Sequence, residues 1–301
     1  MMRPLVIALA LLTLSGPTRA NAPDSWIGSG AKWVKQLWRN DAQQWLDRIN
    51  PAVSNHNYSG VLVLAQGKTI ETLSVEHTMS NGQETLILKT LSGSPRELIK
   101  RGGKVRIDAL RANNVAAGQT SFSQFANAID NKWYSVKLGE KARVAGRSVQ
   151  LVDIEAKDDW RYSYHLWLDE ETALPLKVVT LDEHGTAIEQ MVFTQIKITP
   201  VASREKAAKV RELKALDNPF KTVKGYQLVA RKGSPASTHY LFSDGLTSVS
   251  LYVEPSKQKE KAQMQRDAVN GLILDNGKTR HVVLGKAPIA TLERILDASL
   301  N

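Results

Sequence analysis

Residues 143–196 restrict the fold more than any other part of this chain. Four strand-like runs lie in them, at 148–155, 160–168, 175–181 and 188–196. Turn signals separate the runs: Lys157-Asp158-Asp159, Asp169-Glu170-Glu171 and Asp182-Glu183-His184-Gly185. Short apolar runs alternating with such turns make an antiparallel meander. In the second run Tyr162, Tyr164 and Leu166 share one face, while Arg161, Ser163, His165 and Trp167 share the other. Either face could line a ligand cavity or be ordinary core and rim.

The same pattern begins upstream. Asp41 reads as a helix N-cap, and Trp45, Leu46 and Ile49 form an apolar stripe that should end before Pro51. Strands are expected at 58–66, 69–79, 84–91, 96–100, 104–108 and 133–138, with Gly67, Asn81-Gly82, Gly93 and Gly102-Gly103 between them. A turn or two of helix is expected over 124–129. In Val61-Leu62-Val63-Leu64 and Leu86-Ile87-Leu88 neither alternate set is polar, so both sheet faces should be buried. A sheet curved around a helix or a lipid meets that demand. Tyr58, Leu62, Leu64, Leu86, Leu88, Tyr162, Tyr164 and Leu166 are the candidates for lining a lipid cavity.

Residues 199–219 are polar and Lys-rich, with Pro200 and Pro219 near their ends, and read as a linker with a short helix over 204–216. Few contacts should then cross between the parts it joins. Beyond it, strands are expected at 224–231, 238–243, 247–253, 268–275 and 280–285, with an Asn276-Gly277 hairpin turn. Pro288 opens a helix with Ile289, Leu292, Ile295 and Leu296 on one face. Residues 255–266 read as an exposed basic loop or frayed helix.

The chain carries a net charge of +10, and residues 201–301 hold 17 Lys/Arg against 10 Asp/Glu. Basic surface of this kind suits an acidic peptide or anionic headgroups. Arg231, Tyr240, Phe242, Lys257, Lys259, Lys261 and Arg280 are the candidates for partner contact. Arg3 followed by the apolar residues 4–14 has the form of a secretory signal over residues 1–20, cleaved after Ala20 or Ala22. Export makes nucleic acid an improbable partner. A Trp-rich segment, 21–40, follows, with Trp33, Val34, Leu37 and Trp38 on one helical face that could rest on a membrane surface or pack on its own domain.

The chain has no cysteine, which removes disulfides, thiol catalysis and thiolate metal sites. Its six histidines include no pair at helical metal spacing, and no G-x-S-x-G elbow occurs. Ser243-Asp244-Gly245 reads as a turn. The sequence therefore supports no catalytic residue, no metal site and no cofactor.

Several motifs together resemble the MucB/RseB regulators of the bacterial envelope stress response. They are RVAGR (143–147), RYSYHLWLD (161–169), LPLK (174–177), LDEHG (181–185), IEQ (188–190) and Phe193. NYSGVLVL (57–64) and SGSPRELIKRGGKVR (92–106) are similar to the family as well, and FSDGLTSVSLYVEP (242–255) and VVLGKAP (282–288) more loosely. The resemblance implies an α+β, mostly antiparallel β fold. A large lipoprotein-carrier-like half-barrel (41–198) would sense a signal. A smaller β-rich C-terminal domain with a terminal helix (220–301) would bind the partner. The implied partner is the periplasmic domain of a membrane-bound anti-sigma factor, shielded from regulated proteolysis until a lipid, lipopolysaccharide or lipoprotein acyl chain releases it. The runner-up is a periplasmic lipid or lipoprotein carrier using the same cavity. Homo-oligomerisation stays open.

Overall fold

Two short helices come first, α1 (Asp41–Asp47) and α2 (Ile49–Asn55). The computed structural model describes residues 41–101, 104–109, 129–201, 215–234, 236–266 and 268–300. The expected signal, the Trp-rich segment, nearly all of the turn over 124–129 and most of the helix over 204–216 lie outside these residues. The first helix does not stop for Pro51. The chain breaks at Arg48 and restarts, and Pro51 is the third residue of α2. An N–H missing from a first turn forfeits no intrahelical bond. Ala42, Leu46, Ile49, Ala52 and Val53 are all buried, so the pair presents one apolar side.

That side rests in a ten-stranded antiparallel sheet. Its strands are β1 (His56–Gln66), β2 (Thr69–Ser80), β3 (Gln83–Thr90), β4 (Arg96–Arg101), β5 (Lys104–Ala109), β6 (Tyr134–Val144), β7 (Arg147–Ala156), β8 (Ser163–Asp169), β9 (Pro175–Leu181) and β10 (Ala187–Pro200). The order is β5-β4-β3-β2-β1-β10-β9-β8-β7-β6. Two meanders are thus joined where β1 pairs with β10. The edges β5 and β6 do not pair, so the sheet is an open half-barrel and not a closed one. It still curls: β6 comes back within reach of β10, and α1 packs on β6 and β7 while α2 packs on β1. Gly60 lies beside a bulge between Val61 and Leu62. A Cβ there would run into the Gln195 carbonyl, so only glycine lets the two central strands approach this closely.

A second sheet follows, of β11 (Gln227–Gly233), β12 (Thr238–Ser243), β13 (Ser248–Pro255), β14 (Lys259–Arg266), β15 (Val269–Asn276) and β16 (Thr279–Gly285). Its order is β11-β12-β13-β16-β15-β14. Helix α3 (Ile289–Leu300) covers one face with Leu292, Ile295 and Leu296. The expected basic loop is in fact the edge strand β14. Its Lys-Glu-Lys-Ala-Gln-Met-Gln-Arg sequence lacks β-branched residues because it has a partner on one side only, and charge on an edge discourages further pairing.

The two sheets do not sit apart. Leu246 and Ala268 of the second part belong to the same buried cluster as Tyr134, Tyr162 and Tyr164 of the first. The polar linker led to an expectation of few crossing contacts. The structure places a buried, hydrogen-bonded junction there instead, because polar residues at the strand ends find partners across it.

Candidate functional site

Cross-strand register decides what faces the hollow of the large sheet. Tyr58, His77, Leu86 and Lys100 form one row; Gly60, Val75, Leu88 and Leu98 the next; Leu62 and Leu73 the third. The candidates Tyr58, Leu62 and Leu86 are buried in the main core, whereas Leu64 and Leu88 are only half-buried at its margin. Tyr58 stacks on His77 at 4.4 Å between ring centroids and meets Phe193 edge-on. This half of the sheet therefore offers an apolar floor with a partly open rim.

Ion pairs on β4 flank that floor. Glu84 lies 2.8 Å from Lys100 and 3.5 Å from the His77 ring, and Arg96 binds Glu71. The His77 contact leads in holding the Glu84 carboxyl down to about 2, Lys100 adds to it, and burial opposes both. A carboxyl lowered on folding stabilises fully above its unfolded value, here 4.5, and loses that contribution as pH falls toward its folded one. We expect Glu84→Gln to cost on the order of 2 kcal/mol in urea unfolding at neutral pH. The difference from the parent should shrink between about pH 5 and pH 3. A loss independent of pH would refute the ion-pair account.

The other candidates, Tyr162, Tyr164 and Leu166, are placed differently. They are buried, and the two tyrosines meet the second sheet. Asn270 donates its Nδ2–H to the Tyr162 hydroxyl (3.0 Å) and to the Ala287 carbonyl (2.8 Å). Beside them Arg161, 1% exposed, sits between the Trp133 ring (4.6 Å) and the Tyr226 ring (5.2 Å). It donates to Asp158 (2.5 Å) and to the Lys224 carbonyl, and its Nε lies 3.3 Å from Asp244. Gly225, at φ +90°, is required here, since a side chain would collide with Arg161 and Trp133.

Asp244 is the counterpart of Arg161. Its Oδ2 accepts the Tyr134 hydroxyl (2.7 Å), and its Oδ1 accepts the N–H groups of Leu246 (3.0 Å) and Thr247 (2.8 Å). Burial first, and then the Asp244 charge, push the Tyr134 phenol well above its ordinary value, so it remains a donor. Lys286 bridges to Glu189 at 2.6 Å, Gln66 holds the other oxygen of that carboxylate at 2.6 Å, and Thr291 donates to the Trp160 carbonyl at 2.7 Å. Sequence reasoning missed Arg161 and Asp244 as site residues. The one available signal was a charge at the head of an otherwise apolar strand.

The partner candidates divide by burial. Phe242 is fully buried in the core that Leu292 and Ile295 of α3 share, and it packs near Phe220. It is a core residue and not a surface contact. Tyr240 is half-buried, edge-on to Phe220 and beneath the exposed Arg231 at 5.4 Å. Lys257, Lys259 and Lys261 are exposed, and Arg280 is half-buried, 3.7 Å from Glu260. Among the described residues no group of three or more His, Asp or Glu could hold a metal ion.

Comparison with known proteins matches both parts of the chain to one family. The model of the MucB/RseB N-terminal domain matches residues 41–212, and that of the MucB/RseB C-terminal domain residues 208–299. The Pseudomonas aeruginosa sigma factor AlgU regulatory protein MucB is 26% identical over 282 residues, covering 85% of this chain and 89% of the relative. The Salmonella typhimurium sigma-E factor regulatory protein RseB is 25% identical over 288 residues, covering 84% and 88%. The crystal structure of MucB superposes with a TM-score of 0.65 at 26% identity, covering 87% of this chain and 98% of that one. MucB in complex with the periplasmic part of MucA superposes with a TM-score of 0.64 at 25% identity, covering 85% and 97%.

Proposed function

The chain belongs to the MucB/RseB family, and from that premise we propose that it is a periplasmic regulatory binding protein whose partner is the periplasmic domain of a membrane-bound anti-sigma factor. Bound there, it shields the partner from regulated proteolysis and keeps a sigma-E type factor silent. A lipid-type signal, taken up on the apolar floor of the large sheet, releases it. The observation that carries this reading is the match over both parts of the chain to a family in which a relative has been crystallised on the periplasmic part of MucA. The exposed lysines at and before the β14 edge support it, since they supply a surface suited to an acidic segment.

Release by a ligand requires that the ligand prefer an arrangement the partner does not. The test of the contact surface is a titration with the anti-sigma periplasmic domain. Charge reversal of Lys257, Lys259 and Lys261 to Glu should weaken binding about tenfold or more at low salt while leaving the melting temperature nearly unchanged. Unaltered affinity would remove this edge from the interface.

A further inference from the structure

One histidine fastens the far end of α3. His281, on β16, is 5% exposed. Its Nδ1 lies 2.8 Å from the Ser299 hydroxyl of α3, and its Nε2 lies 3.0 Å from the Thr279 hydroxyl. Ser299 already gives its hydrogen to the Leu296 carbonyl at 2.6 Å. It can therefore only accept from the ring, so Nδ1 carries the proton and Nε2 accepts from Thr279. Every donor from Thr279 through His281 and Ser299 to Leu296 then has an acceptor, as long as the ring is neutral. Val253 of β13 and Leu274 of β15 flank His281 in the register, and both are only partly buried at the margin of the second core. Neither carries a charge. Glu254, Arg280 and Asp275 pair one position along and so point to the opposite face of the sheet. Asp297, the acidic residue in the last turn of α3, is exposed to water.

A second proton on this ring has no place to go. It would turn Nε2 into a donor aimed at Thr279, whose own hydrogen would have to swing to the Asn276 Oδ1. That oxygen is 3.4 Å away and already accepts the N–H groups of Lys278 and Thr279. The new charge would also be buried with hydroxyls as its polar contacts and no carboxylate. We propose that the last turn of α3 is an acid-released latch: on protonation His281 lets go of Ser299, the turn lifts from β16, and the apolar strip of Val253, Leu274 and Leu296 is uncovered. Burial holds the His281 imidazole below its ordinary value of 6.5, which agrees in sign. A histidine lowered on folding stabilises fully above its unfolded value and loses that contribution as pH falls toward its folded one. The latch is therefore closed at neutral pH and opens in acid. Thr291, which binds the Trp160 carbonyl, lies in the first turn of α3, so the junction with the large sheet stays shut. The device needs neither the partner nor the ligand proposed above.

Amide hydrogen exchange on the full chain reads the latch. Protection of the last turn of α3 is compared at about pH 7.5 and about pH 5, after correction for the intrinsic pH dependence of exchange. In the parent it should fall about tenfold or more, since one proton is bound on opening, while that of β8 holds. His281→Gln has no ring to charge and should give the same protection at both values. Ser299→Ala removes the pin and should be less protected than the parent already at the higher pH. If His281→Gln does not fold, the parent's imidazole NMR signals decide. They should show the neutral Nδ1–H form at the higher pH and change over together with the loss of protection. Equal protection of the parent at both values, or a ring already charged at the higher pH, overturns the latch. So does the parent's slope surviving in His281→Gln, which would assign it to another group such as His239, stacked on Tyr252.

Discussion

Replacing Arg161 by alanine is expected to lower the unfolding free energy by about 3–5 kcal/mol. Both Arg161 and Asp244 are out of contact with water. Removing the guanidinium leaves a buried carboxylate supported by neutral donors alone: the Tyr134 and Thr247 hydroxyls and two backbone N–H groups. It also empties the slot between two aromatic rings. Most of the cost is the stranded charge, and not the worth of the pair itself, so a second substitution should return part of it. Asp244→Asn keeps an acceptor oxygen for the backbone N–H groups and removes the charge. Arg161→Met with Asp244→Asn should therefore be more stable than Arg161→Ala alone. Urea unfolding of the three variants checks this. A loss below about 1 kcal/mol for Arg161→Ala would mean that the ion pair does not hold the junction.

Phe242→Ala is expected to cost about 3–5 kcal/mol, the range for truncating a fully buried aromatic side chain. Phe242 lies in the core that Val249, Leu251, Val283 and Leu292 share, so the cavity would be enclosed on several sides. Phe242→Leu should cost markedly less, because it keeps much of the volume. The folded fraction of either variant should bind partner as the parent does. A Phe242→Ala protein of unchanged stability and reduced partner affinity would put the side chain at the interface after all.

Most strands were legible because their apolar residues and turns follow local rules. The strand 175–181 falls within its expected bounds, and the Asn276-Gly277 turn sits where hairpin chemistry puts it. Strand β14 was hidden because an edge strand has no second partner to demand branched apolar residues. The helix was misjudged at Pro51 because the break falls three residues earlier, at Arg48, where no helix-breaking residue marks it. The junction was hidden for another reason. Arg161 reads as one polar residue of a strand face and Asp244 as a turn residue, and their meaning arises only when distant strand ends meet. The same holds for Tyr162 and Tyr164. Their alternation along β8 was readable, but not that one tyrosine would be capped by Asn270 from the other sheet.

Family membership came from the order of several weak motifs, and the folded structure adds what those motifs do locally. RYSYHLWLD is the junction residue Arg161 followed by a strand whose Tyr162, Tyr164 and Leu166 are core. FSDGLTSVSLYVEP begins with a core phenylalanine and then presents Asp244 to Arg161. LGKAP supplies Lys286 and the Ala287 carbonyl to the same junction. Four of the motifs that carry the resemblance, RYSYHLWLD, IEQ, FSDGLTSVSLYVEP and VVLGKAP, supply residues that fasten the two sheets together.

The most direct test of the central claim is the rate at which a protease of the regulated pathway cleaves the periplasmic region of a membrane-bound anti-sigma factor, with and without this protein. Stoichiometric addition should slow cleavage strongly, and the charge-reversed variant at Lys257, Lys259 and Lys261 should protect less. Cleavage at the same rate in the presence of a saturating excess would contradict the account.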